Sequence, residues 1–254
     1  LITGGCGYVG SVLASKLIKL NFNVTILDKM WFGNFISDFK KITFIKKDLL
    51  DIEKISLKKF NSIIHLANVA NDPSVELNPG ISWDINCIGT YKLIEKAVKD
   101  KVKHFIFASS GSVYGLKKEK AVTEDLPAVP ISIYNKTKIV AERLLTSYQK
   151  DILIHNIRPA TVCGLSPRMR FDVSVNLLTL QALKFKEIKV MGGNQIRPNI
   201  HIQDLTDVFL FFIKKGNKIP TGNYNAGFEN ISIINLAKKI SELTGAKIKR
   251  IKSN

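Results

Sequence analysis

The sequence is poor in the residues that build disulfide and metal frameworks. Its 254 residues hold three cysteines (Cys6, Cys87, Cys163) and four histidines (His65, His104, His155, His201), all widely spaced. An odd, dispersed cysteine set gives no disulfide framework, and no Cys/His spacing suits a metal, so a stapled miniprotein and a metal-centred fold are excluded. Long apolar runs are also missing. The longest strongly apolar stretch, Val208 to Ile213, falls far short of the roughly 20 residues of a membrane helix, so no membrane partner is expected. With no secretory leader pattern, a reducing cytoplasm is the expected compartment. Repeats, linkers and low-complexity segments are absent. Acidic residues are scarce too: 21 face 38 basic ones, for a formal charge of +17. That balance points to anionic partners.

Arginine is the scarce base. Only Arg143, Arg158, Arg168, Arg170, Arg197 and Arg250 are present, and the remaining basic residues are lysines. The lysines are scattered, with the densest cluster at Lys117, Lys118 and Lys120. Nucleic-acid binders concentrate Arg and Lys on one element with aromatics between them, so nucleic acid is not an expected partner. Hydrophobic residues at 45% and charged residues at 23% are ordinary globular values and exclude disorder. The length suits one large domain, or one domain with a small appendage. Leu1-Ile2-Thr3 resembles the end of a longer strand, and the basic stretch Lys249 to Asn254 stops without a closing element. Residues are therefore expected beyond both ends.

What is present is alternation. Apolar β-type runs occur at 1–3, 23–28, 42–46, 62–67, 103–108 and 152–158, with amphipathic helical patterns at 8–20, 85–100, 134–149, 173–186, 204–215 and 233–244. Strands alternating with helices predict an α/β fold, a doubly wound parallel sheet covered on both faces. Continuously apolar runs such as His104-Phe105-Ile106-Phe107-Ala108 fit strands buried on both sides. From about residue 165 the alternation loses regularity, which predicts a smaller C-terminal lobe beside the sheet.

Two constellations carry chemistry. Thr3-Gly4-Gly5-Cys6-Gly7-Tyr8-Val9-Gly10 follows the first strand and opens a helix. Both Gly5-x-Gly7-x-x-Gly10 and Gly4-x-x-Gly7-x-x-Gly10 satisfy dinucleotide-binding spacings, in which glycines let the backbone approach a pyrophosphate at a helix N-terminus. Asp28, at the end of the second strand, is placed to accept from ribose hydroxyls and to repel a 2′-phosphate, favouring NAD over NADP despite the adjacent Lys29. Asp48 and Leu49 are placed to flank the adenine, although a turn or helix cap accounts for Asp48 equally. Further on, Ser109-Ser110-Gly111-Ser112-Val113-Tyr114-Gly115 follows a buried strand, and Tyr134-Asn135-Lys136-Thr137-Lys138 opens a helix. Tyr134 and Lys138 share one helix face. A tyrosine, with an ordinary pKa of about 10, becomes a base near neutrality only when cations stabilise its phenolate.

These motifs, in this order, resemble the extended short-chain dehydrogenase/reductases, in the NAD-dependent epimerase/dehydratase family acting on nucleotide sugars, with UDP-glucose 4-epimerase as its best-known member. The resemblance runs from Leu1 to about Gly245 and includes His65-Leu66-Ala67, Arg158-Pro159 through Gly164, and Arg197-Pro198-Asn199-Ile200-His201-Ile202 with Asp204. It implies a Rossmann-type NAD-binding domain at 1–164 and a substrate-binding lobe at 165–254, interleaved with the sheet and truncated. It implies Tyr134 as base and acid, Lys138 as the group that lowers its pKa and holds the nicotinamide ribose, and Ser110 as the group that orients the substrate hydroxyl. Gly4, Gly7, Tyr8, Val9, Gly10, Asp28, Asp48, Leu49, Leu66, Ala67, Asn86 and Ser109 match cofactor-binding positions. Ser112, Asn176 and Arg197 match substrate-binding ones. Asn86 serves equally as a tie between helix and strand, Arg168 and Arg170 either join Arg197 or form a solvated pair, and His201 and Asp204 are expected to be structural.

The implied partner is a nucleotide-diphosphate sugar, and the implied assembly is a homodimer packed through helices 85–100 and 134–149. The implied reaction is transient oxidation, most plainly at C4. A 4,6-dehydratase commonly carries Asp-Glu where this chain has Gly111-Ser112, which favours an epimerase, with a 4-keto-sugar reductase or dehydrogenase as the alternative. The chain departs from the pattern at Ala160, at Thr161, where epimerases often place Asn, and over Asn68 to Pro73, a loop expected beside the nicotinamide. A non-catalytic regulator on the same scaffold would lose Tyr134 or Lys138, and both are here.

Overall fold

The structure is a computed structural model that describes residues 1–37, 41–119 and 121–251. Lys120 of the lysine cluster and residues 252–254 of the terminal basic stretch lie outside the described residues. The chain alternates β1 (Ile2–Thr3), α1 (Tyr8–Lys19), β2 (Val24–Asp28), β3 (Ile42–Lys46) and β4 (Ser62–His65). Two short helices follow, α2 (Asp72–Leu77) and α3 (Pro79–Trp83), then a π-helical segment, Asp84–Gly89, that runs into α4 (Thr90–Lys99). Next come β5 (His104–Ala108), α5 (Ile133–Ser147), β6 (Leu153–Pro159) and β7 (Thr161–Cys163). The remainder is α6 (Ser174–Phe185), β8 (Glu187–Met191), β9 (Ile196–His201), α7 (Ile202–Lys215), β10 (Gly222–Ala226), β11 (Glu229–Ser232), α8 (Ile233–Thr244) and β12 (Lys247–Ile251).

Seven strands form one sheet in the order β10-β6-β5-β4-β1-β2-β3, and every pairing in it is parallel. The order reverses between β1 and β4, which opens a crevice at the strand C-termini where ligands bind in doubly wound sheets. The α/β Rossmann-type expectation holds. Successive β5 residues explain why its apolar run is unbroken. Ile106 packs on one face with Leu13, Ile26, Ile64, Ile157 and Phe209. Phe105 and Phe107 pack on the other with Ile63, Leu93, Ala141 and Leu145. Period-two alternation serves two cores at once.

The chain after residue 164 contributes to both parts of the molecule. β10 extends the main sheet beside β6, and α7 packs against α1. β11-β9-β7 and β12-β8 form two small sheets, and a separate core of Leu178, Ala182, Ile188, Val190, Leu236 and Ile240 fills the lobe. Strands β7 to β12 were not anticipated as strands. Most lie half-exposed in short antiparallel or two-stranded pairings, where a continuous apolar run is not required.

Candidate active site

One cleft opens over the C-terminal ends of β1, β2 and β4. Its floor is backbone. Gly4 has φ +70°, and a Cβ there would stand 2.6 Å from the Ala67 nitrogen. A Cβ on Gly10 would stand 2.5 Å from the Gly4 carbonyl oxygen. Both positions therefore demand glycine, Gly4 by conformation and close approach, Gly10 by close approach alone. The amide of Gly7 donates to the Gly4 carbonyl at 3.1 Å and closes the turn. Gly7 is the N-cap of α1, no side chain caps the helix, and its first turn carries no acidic residue. An uncapped N-terminus with its dipole free is built for an anion.

Asp28 stands at the end of β2. Its Oδ2 accepts from the Cys6 amide at 2.9 Å and its Oδ1 from the Met30 amide at 2.6 Å, so both oxygens are fixed at the rim while keeping further acceptor capacity. Asp48 caps a short 3₁₀ turn through the Leu50 amide (3.0 Å) and meets the Lys29 ammonium at 2.6 Å. Burial opposes its ionisation, but Lys29 and the backbone donors prevail and hold the carboxyl below its usual range. Leu27, Leu49, Leu66, Ala67, Trp31 and Phe32 also line the cleft. Trp31 and Phe32 were not singled out from sequence. Lys29 lies 5.3 Å from the Trp31 ring centroid, and the Arg168 guanidinium reaches across from the loop after β7 to within 3.9 Å of the Phe32 centroid. Glycine cradle, uncapped helix, rim carboxylate and apolar walls together fit NAD, which this end would hold through Gly4, Gly7, the start of α1, Asp28, Leu49, Leu66 and Ala67.

The reacting end is made of side chains. Ser110 Oγ lies 2.7 Å from Ser112 Oγ, which donates to Asn135 Oδ1 at 2.5 Å, and the Ser110 side chain eases ionisation of the Tyr134 phenol. Lys138, one turn beyond Tyr134 on α5, donates from Nζ to the Ala108 carbonyl at 2.6 Å and lies 5.8 Å from the Tyr134 ring centroid. Burial brings its pKa down to about 7, against the opposing pull of Glu142 and then Cys87. Burial likewise pushes the Tyr134 phenol up; Arg170 and the Ser110 hydrogen bond draw it down, and Asp72 adds to the rise. Arg170 is thus a second cation, beside the expected Lys138, whose charge bears on the Tyr134 phenol. Arg170 is itself held by a two-point pair to Asp172, at 3.0 and 2.9 Å.

Several expected contact residues are placed differently. Asn86 is fully buried, with its Oδ1 accepting from the Val69 amide at 2.8 Å and its Nδ2 donating to the Val69 carbonyl and to Thr137 Oγ1, each at 3.0 Å. It shapes the loop after β4 rather than facing the cleft. Ser109 turns inward to the Glu142 carboxylate. Tyr8 is buried and donates to the Gly164 carbonyl at 2.7 Å, and Val9 packs into the core beside it. Asn176 is likewise engaged, donating to Tyr8 Oη at 3.0 Å and to the Arg170 carbonyl at 2.8 Å, and accepting from the Gly164 amide at 3.1 Å. These residues fasten the glycine loop to the lobe. Arg197 stands exposed on β9. His201 caps α7 by accepting from the Gln203 amide, and Asp204 lies in that helix's first turn. Among the described residues no group of three side chains suits a metal, and no helix is long and apolar enough to cross a membrane.

Known proteins share this fold. The model of the NAD dependent epimerase/dehydratase family matches residues 1–227. The UDP-glucose 4-epimerase GEPI48 of Cyamopsis tetragonoloba is 30% identical over 98% of this chain and 81% of its own length. Among solved structures, TunA, an NAD dependent NDP-hexosamine 5,6-dehydratase involved in tunicamycin biosynthesis, superposes with TM-score 0.90 at 25% identity, over 100% of this chain and 84% of that one. A mutant UDP-glucuronic acid 4-epimerase from Bacillus cereus, in complex with a UDP-4-deoxy-4-fluoro-glucuronic acid and NAD, superposes with TM-score 0.89 at 28% identity, over 99% and 85%. The chain spans 65% of the length of another relative, from Arabidopsis thaliana, to which it is 28% identical. With a dinucleotide cradle after β1, Ser110 after β5, Tyr134 and Lys138 on α5, and a family model matched across all of them, the chain belongs to the NAD dependent epimerase/dehydratase family.

Proposed function

We propose that the protein is an NAD-dependent epimerase of a nucleotide-diphosphate sugar, acting through transient oxidation at C4. The observation that carries this reading is the placement of Tyr134 and Lys138 one turn apart on α5, with the Lys138 ammonium 5.8 Å from the Tyr134 ring centroid and tied to the Ala108 carbonyl two residues before Ser110. Relatives named as UDP-sugar 4-epimerases support the substrate class. Bound in the cleft, NAD supplies a hydride acceptor that later gives the hydride back. Tyr134 takes the proton of the sugar hydroxyl and returns it, Ser110 holds that hydroxyl in line, and Lys138 stabilises the phenolate and the nicotinamide ribose. Ser112 extends the hydroxyl chain from Ser110 to Asn135. Arg170, beside Tyr134, supplies a fixed positive charge to the substrate side, and Arg197 reaches the nucleotide diphosphate from the lobe.

A second reading has one observation in its favour. Asp72, at the start of α2, opposes ionisation of Tyr134 through its charge, as the smallest of the influences on that phenol. That puts a carboxylate near the reacting centre which Gly111 and Ser112 do not supply, and it suits a dehydratase that removes a second proton. The test is incubation with UDP- and GDP-sugars, with and without added NAD. Epimerisation yields an isomer of unchanged mass and no net NADH. A product lighter by one water selects the dehydratase, and steady NADH accumulation selects a dehydrogenase. The same proposal includes a homodimer through the Asp84–Gly89 segment with α4, and α5, where Ile88, Tyr91 and Val140 are 48%, 40% and 41% exposed. It also places the protein in the reducing cytoplasm, where Cys6, Cys87 and Cys163 remain free thiols.

A further inference from the structure

Behind the reacting residues lies a buried polar chain that the reaction as written does not use. Glu142 follows Lys138 by one turn of α5 and Tyr134 by two. Its side chain is 2% exposed and that of its partner, Arg158 on β6, 4%. Glu142 Oε1 accepts from Arg158 Nε at 2.9 Å, and Oε2 accepts from Arg158 Nη2 at 2.7 Å. Oε1 also accepts from Ser109 Oγ. Arg158 Nη1 donates to Tyr114 Oη at 2.7 Å, and Tyr114 donates to Asn225 Oδ1 at 2.8 Å on β10.

Stability alone is a weak reason for such a group, because a buried ion pair is often replaceable by apolar side chains of like volume. Its placement gives a better one. Two consecutive residues at the end of β5 are each tied to α5: the Ala108 carbonyl to Lys138 Nζ and the Ser109 hydroxyl to Glu142. Ser110 is the next residue, and it meets Tyr134 only if this strand end and this helix keep their relative height. We propose that Glu142 is a positioning residue for the reaction: its carboxylate, clamped by Arg158, fixes the Ser109–Ser110 strand end against α5, the helix that also carries Tyr134 and Lys138.

The same carboxylate bears on the charge of Lys138. Glu142 on its own helix and Cys87 on the π-helical segment favour its charged form, in that order, against burial. His65 on β4 is held neutral, with a pKa lowered to about 3 by burial and then by Lys138 itself. Tyr134 is uncharged at rest. Glu142 is therefore the one carboxylate acting on Lys138, and its loss leaves the amine more readily deprotonated. Lys138 works as an ammonium, so activity falls as pH rises through its pKa, and removing Glu142 moves that fall to lower pH.

The proposal rests on the reading of Tyr134 and Lys138 given above, and its test separates the two. Titration of Lys138 in the whole chain, followed by NMR of 15N-labelled lysine, needs no substrate. Glu142→Gln is expected to lower the Lys138 midpoint by about one pH unit, and Glu142→Asp to restore most of it. In turnover of a UDP-sugar, Glu142→Gln is expected to lower kcat at least tenfold with KM within threefold, and to shift the alkaline limb with the titration. An unmoved midpoint and unmoved limb, with only a lower melting temperature, overturn the proposal. If Glu142→Gln does not fold, Ser109→Ala, which keeps the ion pair, replaces it: a several-fold loss of kcat sustains the tie and a wild-type kcat overturns it. Failure of the reaction reading shows separately, as full turnover by Tyr134→Phe or as no turnover of any nucleotide sugar by the wild type.

Discussion

At its nucleotide end the cleft is made of backbone, and at its reacting end it is made of side chains. The first end offers amides, missing β-carbons and one carboxylate fixed by two amides of its own chain. The second offers a tyrosine, a lysine and serines whose protonation depends on what is buried around them. A pyrophosphate is recognised by geometry, which backbone supplies without titrating. A proton transfer needs a group whose charge changes, and only side chains do that. The two ends should therefore break in different ways.

The largest expected effect is at the reacting end. Tyr134→Phe removes one oxygen from a half-buried ring and leaves the packing in place. Turnover of a UDP-sugar should fall about 10³-fold, within the range for loss of a general base, while the melting temperature and NAD affinity stay near wild type. Loss of both together would mean that Tyr134 holds the fold as well as the proton.

Acid should weaken the fold as a whole, through a buried histidine behind the glycine loop. His65 Nδ1 meets Thr3 Oγ1 at 2.7 Å, just before the glycine loop, and its Nε2 meets Thr90 Oγ1 at 2.9 Å. Its pKa in the fold is lowered to about 3, below the unfolded value of about 6.5. Between those values the unfolded chain binds a proton that the folded one refuses. The stability is whole above pH 6.5 and is lost as pH falls toward 3. His65 alone accounts for about 3 kcal/mol by pH 4, at 1.36 kcal/mol per unit. Denaturant melts at pH 7 and pH 4 measure this, and His65→Asn should lessen the difference.

At the nucleotide end, Gly10→Ala places a methyl group 2.5 Å from the Gly4 carbonyl oxygen. The loop must move, and NAD affinity should fall about 100-fold, or 2.7 kcal/mol, by titration calorimetry. The folded core should persist, because Gly10 lies in the first turn of α1 rather than in the sheet. Unchanged affinity would show that the cradle tolerates a shift its geometry forbids.

How far these features were legible in sequence follows the same division. Backbone demands show as residue type: Gly4, Gly10 and Asp28 announce themselves because few other residues satisfy them. The Tyr134–Lys138 spacing is equally plain, since i and i+4 share a helix face. The parallel sheet was legible because strands buried on both faces must be apolar throughout. Side-chain direction was not. Ser109 and Ser110 are neighbours of one type, and in extended chain they point to opposite sides. Packing sends the first to Glu142 and the second to Tyr134. Asn86 turns inward where a π-helical segment interrupts the expected helix, an insertion that periodicity does not reveal. Arg197 was the arginine expected at the substrate, with Arg170 as a neighbour that would join it or form a solvated pair, and only the fold brings the charge of Arg170 to bear on Tyr134. Glu142 was within reach of the same i, i+4 reasoning one turn further along.

The smallest expected effect sharpens the comparison most. The nucleotide end has one prominent side-chain feature, Arg168 stacked on Phe32 across the cleft. Phe32 is 62% exposed, and a cation over an exposed ring is worth about 0.5–1 kcal/mol. Phe32→Ala should therefore weaken NAD binding only two- to fivefold, read as faster release in stopped-flow fluorescence, with kcat unchanged. If backbone is the working material of this end, trimming its most exposed ring costs far less than adding one methyl to Gly10. A loss from Phe32→Ala as large as that from Gly10→Ala would reverse the assignment, making the aromatic roof rather than the glycine floor the part that holds the dinucleotide.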